Sequence, residues 1–81
     1  MIKFEGIDLT KIVNIYPSVV VKHQEEVTTI SFEWYDENNH NVQKMGYALI
    51  LIDNDGEKRE LFYNSYEELL GAMEEISKLL G

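Results

Sequence analysis

Apolar residues near the C-terminal end recur every three or four positions, which is the spacing of one face of an α-helix. Ser65 can cap the first turn of this helix through its hydroxyl, and Glu68, three residues later, completes the pattern of a capping box. The sequence therefore predicts an amphipathic helix over residues 65–81, in which an acid at position 70 or 73 is expected to unfold the domain. The predicted apolar stripe consists of Tyr66, Leu69, Leu70, Met73, Ile76, Leu79 and Leu80.

Earlier in the chain the pattern changes to alternation and to short apolar runs, both of which are typical of β-strands. Residues 18–23 and 58–63 predict one strand each. Residues 47–52 are apolar at every position, as in a central strand that is covered on both faces. Residues 27–35 alternate most clearly and predict a further strand. The face of that strand predicted to point into the core carries Thr28, Ile30, Phe32 and Trp34.

Turn signals separate these segments. Residues 53–56, Asp-Asn-Asp-Gly, give the strongest one, because Asp-Gly supplies the positive φ that a hairpin turn needs. Residues 36–41 are rich in Asn and Asp and predict a loop. Near the N-terminus, Asp8 stands where a helix N-cap would, and apolar residues follow it at helical spacing. We therefore predict a short helix over residues 8–15, which Pro17 ends.

Together these elements predict an α+β fold in a single domain, residues 1–81. The expected architecture is an antiparallel three- to four-stranded meander with a C-terminal amphipathic helix packed on one face and a short N-terminal helix. One helix covers one face of a sheet, whereas the predicted strands carry apolar residues on both. The second face is expected to be covered by a second subunit in a two-fold homodimer. The alternative is an N-terminal cover formed by Leu9, Ile12, Val13 and Tyr16.

Composition and charge limit the classes of function. Of the 81 residues, 44% are hydrophobic and 27% are charged, as in folded globular domains. Fifteen acidic residues against seven basic ones give a net charge of −8, which disfavours direct binding to nucleic acid or to anionic membranes. No apolar run approaches the roughly 20 residues of a membrane helix, and the first residues do not have the pattern of a signal peptide. The expected location is the cytoplasm.

No combination of residues in the sequence predicts catalysis. His23 and His40 are not at the spacing of metal ligands, and the chain has no cysteine to complete a zinc site. The five glycines are scattered rather than gathered in a phosphate-binding loop. We therefore expect no catalytic residues, no metal and no cofactor.

Acidic and aromatic positions are the candidates for protein binding. The outer face of the predicted C-terminal helix is acidic, the turn at residues 53–56 adds a second acidic pair, and a tyrosine follows Trp34 in the alternating segment. Aromatic residues are enriched at protein interfaces, and here they lie among acids rather than bases, which indicates a protein partner. The candidate protein-binding residues are Glu67, Glu68, Glu74, Glu75, Tyr35, Asp53 and Asp55.

The sequence thus predicts a small acidic protein-interaction module that self-associates as a homodimer. In size and charge it is similar to small acidic proteins of phages and mobile elements, some of which mimic nucleic acid. An inhibitor of that type, docked on a basic protein groove, is therefore one alternative. A small-molecule-binding or catalytic subunit is another. It would have a pocket between helix and sheet, lined by Trp34 or by tyrosines, with His23 or a shielded carboxylate inside it.

Overall fold

The computed structural model describes residues 2–81, and Met1 lies outside the described residues. It confirms the α+β class: a four-stranded antiparallel sheet carries a C-terminal helix on one face. The strand order is β4-β3-β5-β6, and β1 and β2 form a separate small hairpin. The elements are β1 (Lys3–Phe4), β2 (Ile7–Asp8), β3 (Ile12–His23), β4 (Glu26–Ile30), α1 (Phe32–Asn38), β5 (Gln43–Asp53), β6 (Lys58–Tyr63) and α2 (Tyr66–Leu80), with 3-10 turns at Leu9–Lys11 and Asn39–Asn41.

The C-terminal helix α2 is confirmed, together with its cap. The Ser65 hydroxyl accepts a hydrogen bond from the Glu68 amide at 3.1 Å. The Glu68 carboxylate accepts one from the Asn64 amide at 3.0 Å, one residue before the Ser65 amide that a capping box would use. The cap thus satisfies free N–H groups at the helix start and fixes the point at which the chain leaves β6.

The buried side of α2 is narrower than the apolar stripe in the sequence. Leu69, Ala72 and Ile76 are buried, and Met73 packs at the edge of the same cluster. Leu70 is 43% exposed, so its predicted place in the core is wrong. The other stripe residues with large exposed fractions are Tyr66, Leu79 and Leu80.

The side of the sheet that α2 covers, here called the helix face, holds the main core. Leu49 and Leu51 of β5 meet Leu69 and Ile76 of α2 in this cluster. The N-terminal hairpin and the 3-10 turn after it close the cluster with three further buried side chains, which are Phe4, Ile7 and Leu9. The Leu9 amide donates to the Ile2 carbonyl at 2.8 Å.

The predicted helix over residues 8–15 is wrong. Asp8 does act as a cap, since its carboxylate accepts from the Thr10 amide at 3.0 Å, but it caps only the 3-10 turn Leu9–Lys11. From Ile12 the chain is the long strand β3, because its β-branched residues favour extended backbone and pair with β5. Pro17 lies within β3. It pairs with Leu49 on one side only, because pairing with β4 begins at Val19, and such an edge position tolerates the missing N–H.

The predicted strand over residues 27–35 is wrong in its second half. β4 ends at Ile30, and α1 begins at Phe32. The Ser31 hydroxyl caps α1 by accepting from the Trp34 amide at 3.1 Å, and this local cap outweighs the alternating pattern. Trp34 is therefore not a core residue but 43% exposed. α1 also takes in the first residues of the segment predicted to be a loop.

The opposite side of the sheet, here called the open face, carries neither helix, since α2 and Phe32 of α1 pack on the helix face. Val20, Ala48 and Ile50 are nonetheless buried there. Side chains from the two edge strands, β4 and β6, line one shared depression, so the sheet curls with its open face concave. Two irregularities in the β3–β5 register support the curl. By register, the open face consists of Asn14, Tyr16, Ser18, Val20, Lys22, Val27, Thr29, Gln43, Gly46, Ala48, Ile50, Ile52, Lys58, Glu60 and Phe62.

The N-terminal segment does not cover the open face, so that alternative is wrong. Leu9 and Ile12 pack in the cluster on the helix face. Val13 is 68% exposed, and Tyr16, which does lie on the open face, is 39% exposed. The curl of the sheet buries the centre of this face, whereas its apolar margin remains in contact with solvent.

Candidate functional site

The open face presents an apolar patch drawn from three strands. Tyr16 of β3, Val27 of β4 and Phe62 of β6 are 39%, 60% and 64% exposed. By register they lie on the same face as the buried side chains of Val20 and Ile50, and Val27 and Phe62 line one depression with Val20. The three elements meet because β3 pairs with both β4 and β5, and β5 pairs with β6. Exposed apolar side chains gathered in this way are typical of interaction surfaces.

The charge of the open face differs from that of the whole chain. Glu60 is the one acidic residue among its described register positions, and the Lys58 ammonium lies 3.4 Å from the Glu60 carboxylate. Lys22 adds a second positive charge at the end of β3. The protein has a net charge of −8, but acidic residues are not in excess on its open face.

A second feature is an aromatic pocket on the helix face, between α1, α2 and β5. The rings of Phe32, Tyr47 and Tyr66 lie 5.7–6.0 Å apart between centroids and are tilted 50–69° to one another. These are the distances and tilts of favourable aromatic contacts. The pocket has a volume of about 270 Å³ and is lined by Val19, Phe32, Tyr35, Asp36, Tyr47 and Tyr66.

A lysine of β5 contacts the same aromatic group. The Lys44 ammonium donates to the Tyr47 hydroxyl at 3.1 Å and lies 5.3 Å from the centre of the Tyr47 ring and 5.9 Å from that of Tyr35. The hydrogen bond to Tyr47 raises the pKa of the Lys44 ammonium above its usual value. Lys44 is therefore a cation held against two of the rings that line the pocket.

A third feature is a groove of about 420 Å³ between α1 and the outer part of the sheet. Trp34 and Asn38 of α1 form one wall, and His23 and Ile30 belong to the opposite one. The structure thus places Trp34 and His23, both expected in the pocket of a small-molecule-binding subunit, around one depression. Both side chains are exposed to solvent.

The sequence-predicted acidic residues do not form one site. Glu67 and Glu74 are exposed on the outside of α2, and Glu74 is 3.7 Å from Lys78. Glu68 is used by the helix cap, and with Glu75 it lines a depression beside Phe4 and Tyr63. Burial, and then the nearby carboxylates of Glu5 and Glu75, raise the pKa of the Tyr63 hydroxyl.

The acids of the β5–β6 turn have a structural role. The Asp53 carboxylate accepts hydrogen bonds from the Asp55 and Glu57 amides, each at 2.9 Å, and so holds the turn closed. The depression beside Asp53 and Asp55 is lined by basic as well as acidic side chains, so its charges are mixed. Those basic residues are Lys3, Lys11 and Arg59.

Of the predicted site residues, Tyr35 alone lines the aromatic pocket. The sequence did not predict that Phe62, Val27 and Tyr16 share one face, because that placement depends on strand pairing. Sequence reasoning also missed Asp36 of the pocket, because its segment was predicted to be a loop. The Ser31 cap, followed by aromatic residues at helical spacing, is the signal that could have indicated α1.

Within residues 2–81 no group of three or more His, Asp or Glu side chains is arranged to hold a metal ion. Neither helix in that range has the length and apolarity needed to cross a membrane. Comparison with protein-family models, with curated proteins and with solved structures gives no match to this chain.

Proposed function

We propose that the protein is a small interaction module whose open face binds a second copy of the same chain. The observation that carries the proposal is the apolar patch of Tyr16, Val27 and Phe62, exposed on the side of the sheet opposite both helices. Covering these side chains would remove apolar surface from water, which stabilises an association by roughly 25 cal/mol for each Å² buried.

Charge supports a second copy as the occupant. Two proteins of net charge −8 repel each other wherever their acidic surfaces meet. The open face is the surface on which this repulsion is least, because Glu60 is paired with Lys58 and Lys22 lies on the same face. A two-fold contact also allows Lys58 of one copy to approach Glu60 of the other.

Sedimentation across the micromolar range tests this proposal. The unmodified chain is expected to dimerise, and Phe62→Lys to remain monomeric, because the variant replaces the most exposed apolar side chain of the patch with a charged group that would lose its hydration in the contact. Leu80→Lys is the matched control. It introduces the same charge at an apolar residue that is 52% exposed on α2, and it should leave dimerisation unchanged.

Circular dichroism on each variant separates a lost interface from a lost fold. A chain that stays monomeric over the whole concentration range would contradict the proposal. So would a Phe62→Lys variant that is folded and dimerises as strongly as the unmodified chain.

The alternative of a nucleic-acid mimic has less support. A mimic presents its acids on one continuous surface, so that they follow the spacing of phosphates. Here the acids are divided between the outside of α2, the depression beside Tyr63 and the turn that Asp53 closes. The small-molecule alternative has a specific observation in its favour, which is the groove with Trp34 and His23 on its walls.

A further inference from the structure

The aromatic pocket between α1 and α2 has the chemical features of a site for an organic cation. Phe32, Tyr47 and Tyr66 are tilted 50–69° to one another, so their faces do not stack but form the sides of a recess. The face of an aromatic ring carries partial negative charge and attracts a cation placed over it. Tyr35 adds a fourth ring, and Asp36 adds a carboxylate.

Lys44 supplies independent support within the molecule. Its ammonium lies 5.9 Å from the centre of the Tyr35 ring, within the roughly 6 Å at which cation–π attraction acts, and it donates to the Tyr47 hydroxyl at 3.1 Å. Two of the aromatic residues that line the pocket therefore already contact a cation. Lys44 itself is not among the residues that line the pocket. The negative group of the pocket, the Asp36 carboxylate, has no ion-pair partner among the described residues.

The size and lining of the pocket indicate which class of organic cation it can bind. Its volume of about 270 Å³ lies just below the roughly 300–1,000 Å³ of pockets that take drug-sized ligands, which suits a small head group. A primary ammonium carries three N–H groups that need acceptors. Four of the six lining residues are aromatic, so rings form most of the wall, and the side-chain acceptors are confined to the Asp36 carboxylate and the tyrosine hydroxyls. A quaternary ammonium needs no acceptor.

We propose that this pocket binds a trimethylammonium group, with the rings of Phe32, Tyr35, Tyr47 and Tyr66 around the methyl groups and Asp36 balancing the charge. The site is on the helix face, and the proposed dimer contact is on the open face. The two proposals are therefore independent, and either can fail without the other.

Choline is the probe, and the readout is its titration followed by NMR through the ring protons of the tyrosines. We expect saturable shifts at the tyrosines of the pocket. The neutral analogue 3,3-dimethylbutan-1-ol has the same shape without the charge, and it should bind at least about 5-fold more weakly if cation–π attraction holds the ligand. Equal binding of the two compounds, or no saturable shift with choline, would overturn the proposal.

Variants identify the residues that hold the cation. Asp36→Asn should weaken choline binding, and Asp55→Asn is its control, because it removes the same charge from the β5–β6 turn. Tyr66→Leu should weaken choline binding about 5-fold or more, whereas Tyr16→Leu on the open face should not.

Lys44→Gln should strengthen choline binding, because a competing positive charge is removed. Unchanged affinity in both folded pocket variants, Asp36→Asn and Tyr66→Leu, would contradict this site.

A second titration distinguishes two sources of the same group. Tighter binding of choline than of a short peptide containing trimethyl-lysine assigns the pocket to a free small molecule. The reverse order assigns it to a modified side chain of a protein. Either order supports a trimethylammonium site, and failure of both ligands to bind would overturn it.

Discussion

Two glycines inside regular elements differ in what surrounds them. Gly46 lies in β5 opposite the end of β6, and a Cβ built on it would be 2.8 Å from the Tyr63 carbonyl oxygen. That atom belongs to the backbone and cannot move without shifting β6. Gly71 lies in α2, and a Cβ there would have no neighbour within 4 Å outside its own helix. Packing therefore requires glycine at position 46. At position 71 glycine weakens the helix, because it gains more conformational freedom on unfolding than other residues do.

Alanine at each position is expected to change stability in opposite directions. Gly71→Ala should raise the free energy of unfolding by about 1 kcal/mol, the difference in helix propensity. Gly46→Ala should lower it by about 1–3 kcal/mol, the usual cost of forcing extra volume into a packed site. Urea unfolding of the two variants beside the unmodified chain measures both effects. Changes of the same sign would contradict the packing around Gly46.

At the scale of the element, α2 has more apolar residues than the helix face can cover. Leu69 is fully buried, whereas Leu70, its neighbour in sequence, is 43% exposed. The side chains of adjacent helical residues point about 100° apart, so Leu69 points into the core whereas Leu70 lies at the edge of the buried side of α2. The sequence alone cannot distinguish them, because both belong to an apolar stripe wider than the buried one.

An acid at each of these positions tests the orientation of α2. Leu69→Asp buries a charge in the main core and should cost about 3–5 kcal/mol or more. That is a large fraction of the roughly 4–12 kcal/mol available to a domain of this size, so the thermal transition should fall far below that of the unmodified chain or be lost. Leu70→Asp should cost less than about 1 kcal/mol, because the residue is partly exposed. Thermal unfolding followed by circular dichroism compares them, and an unfolded Leu70→Asp protein would show that α2 is oriented differently.

At the scale of the whole molecule, stability and charge act against each other. The net charge of −8 favours expansion of the chain through repulsion among the acids. Among residues 2–81, three ion pairs oppose this repulsion, each with at least one well-exposed side chain: Lys58–Glu60, Arg59–Glu57 and Lys78–Glu74. Exposed pairs contribute little, typically about 0–1 kcal/mol each. Repulsion is therefore the larger electrostatic effect.

Salt is consequently expected to stabilise this protein. Sodium chloride shortens the distance over which charges act, to about 10 Å at 0.1 M and about 3 Å at 1 M, and so weakens the repulsion. The urea midpoint should rise with salt at a protein concentration low enough to keep the chain monomeric, and dimerisation at higher concentration should strengthen. A midpoint that falls as salt is added would mean that attraction between opposite charges dominates.

The sequence by itself determined the elements whose signals are local. The capped helix from Ser65, the Asp-Gly turn at residues 53–56 and the central strand at residues 47–52 each depend on neighbours within a few positions, and all three are present. Alternation was less reliable: the Ser31 cap turned half of one predicted strand into α1. Near the N-terminus, the second half of the predicted helix, residues 12–15, belongs instead to β3, which pairs with β5.

The tertiary structure alone decided where the candidate sites lie. Ser18 pairs with Ala48, thirty positions along the chain, and Ala48 pairs with Phe62. That register, which no local pattern contains, places Tyr16, Val27 and Phe62 on one face. Likewise, Tyr35 and Asp36 meet Tyr66 only because α1 and α2 pack on the same side of the sheet. A periodic pattern fixes which residues of one element share a face, whereas the pairing of distant strands fixes which faces become one surface.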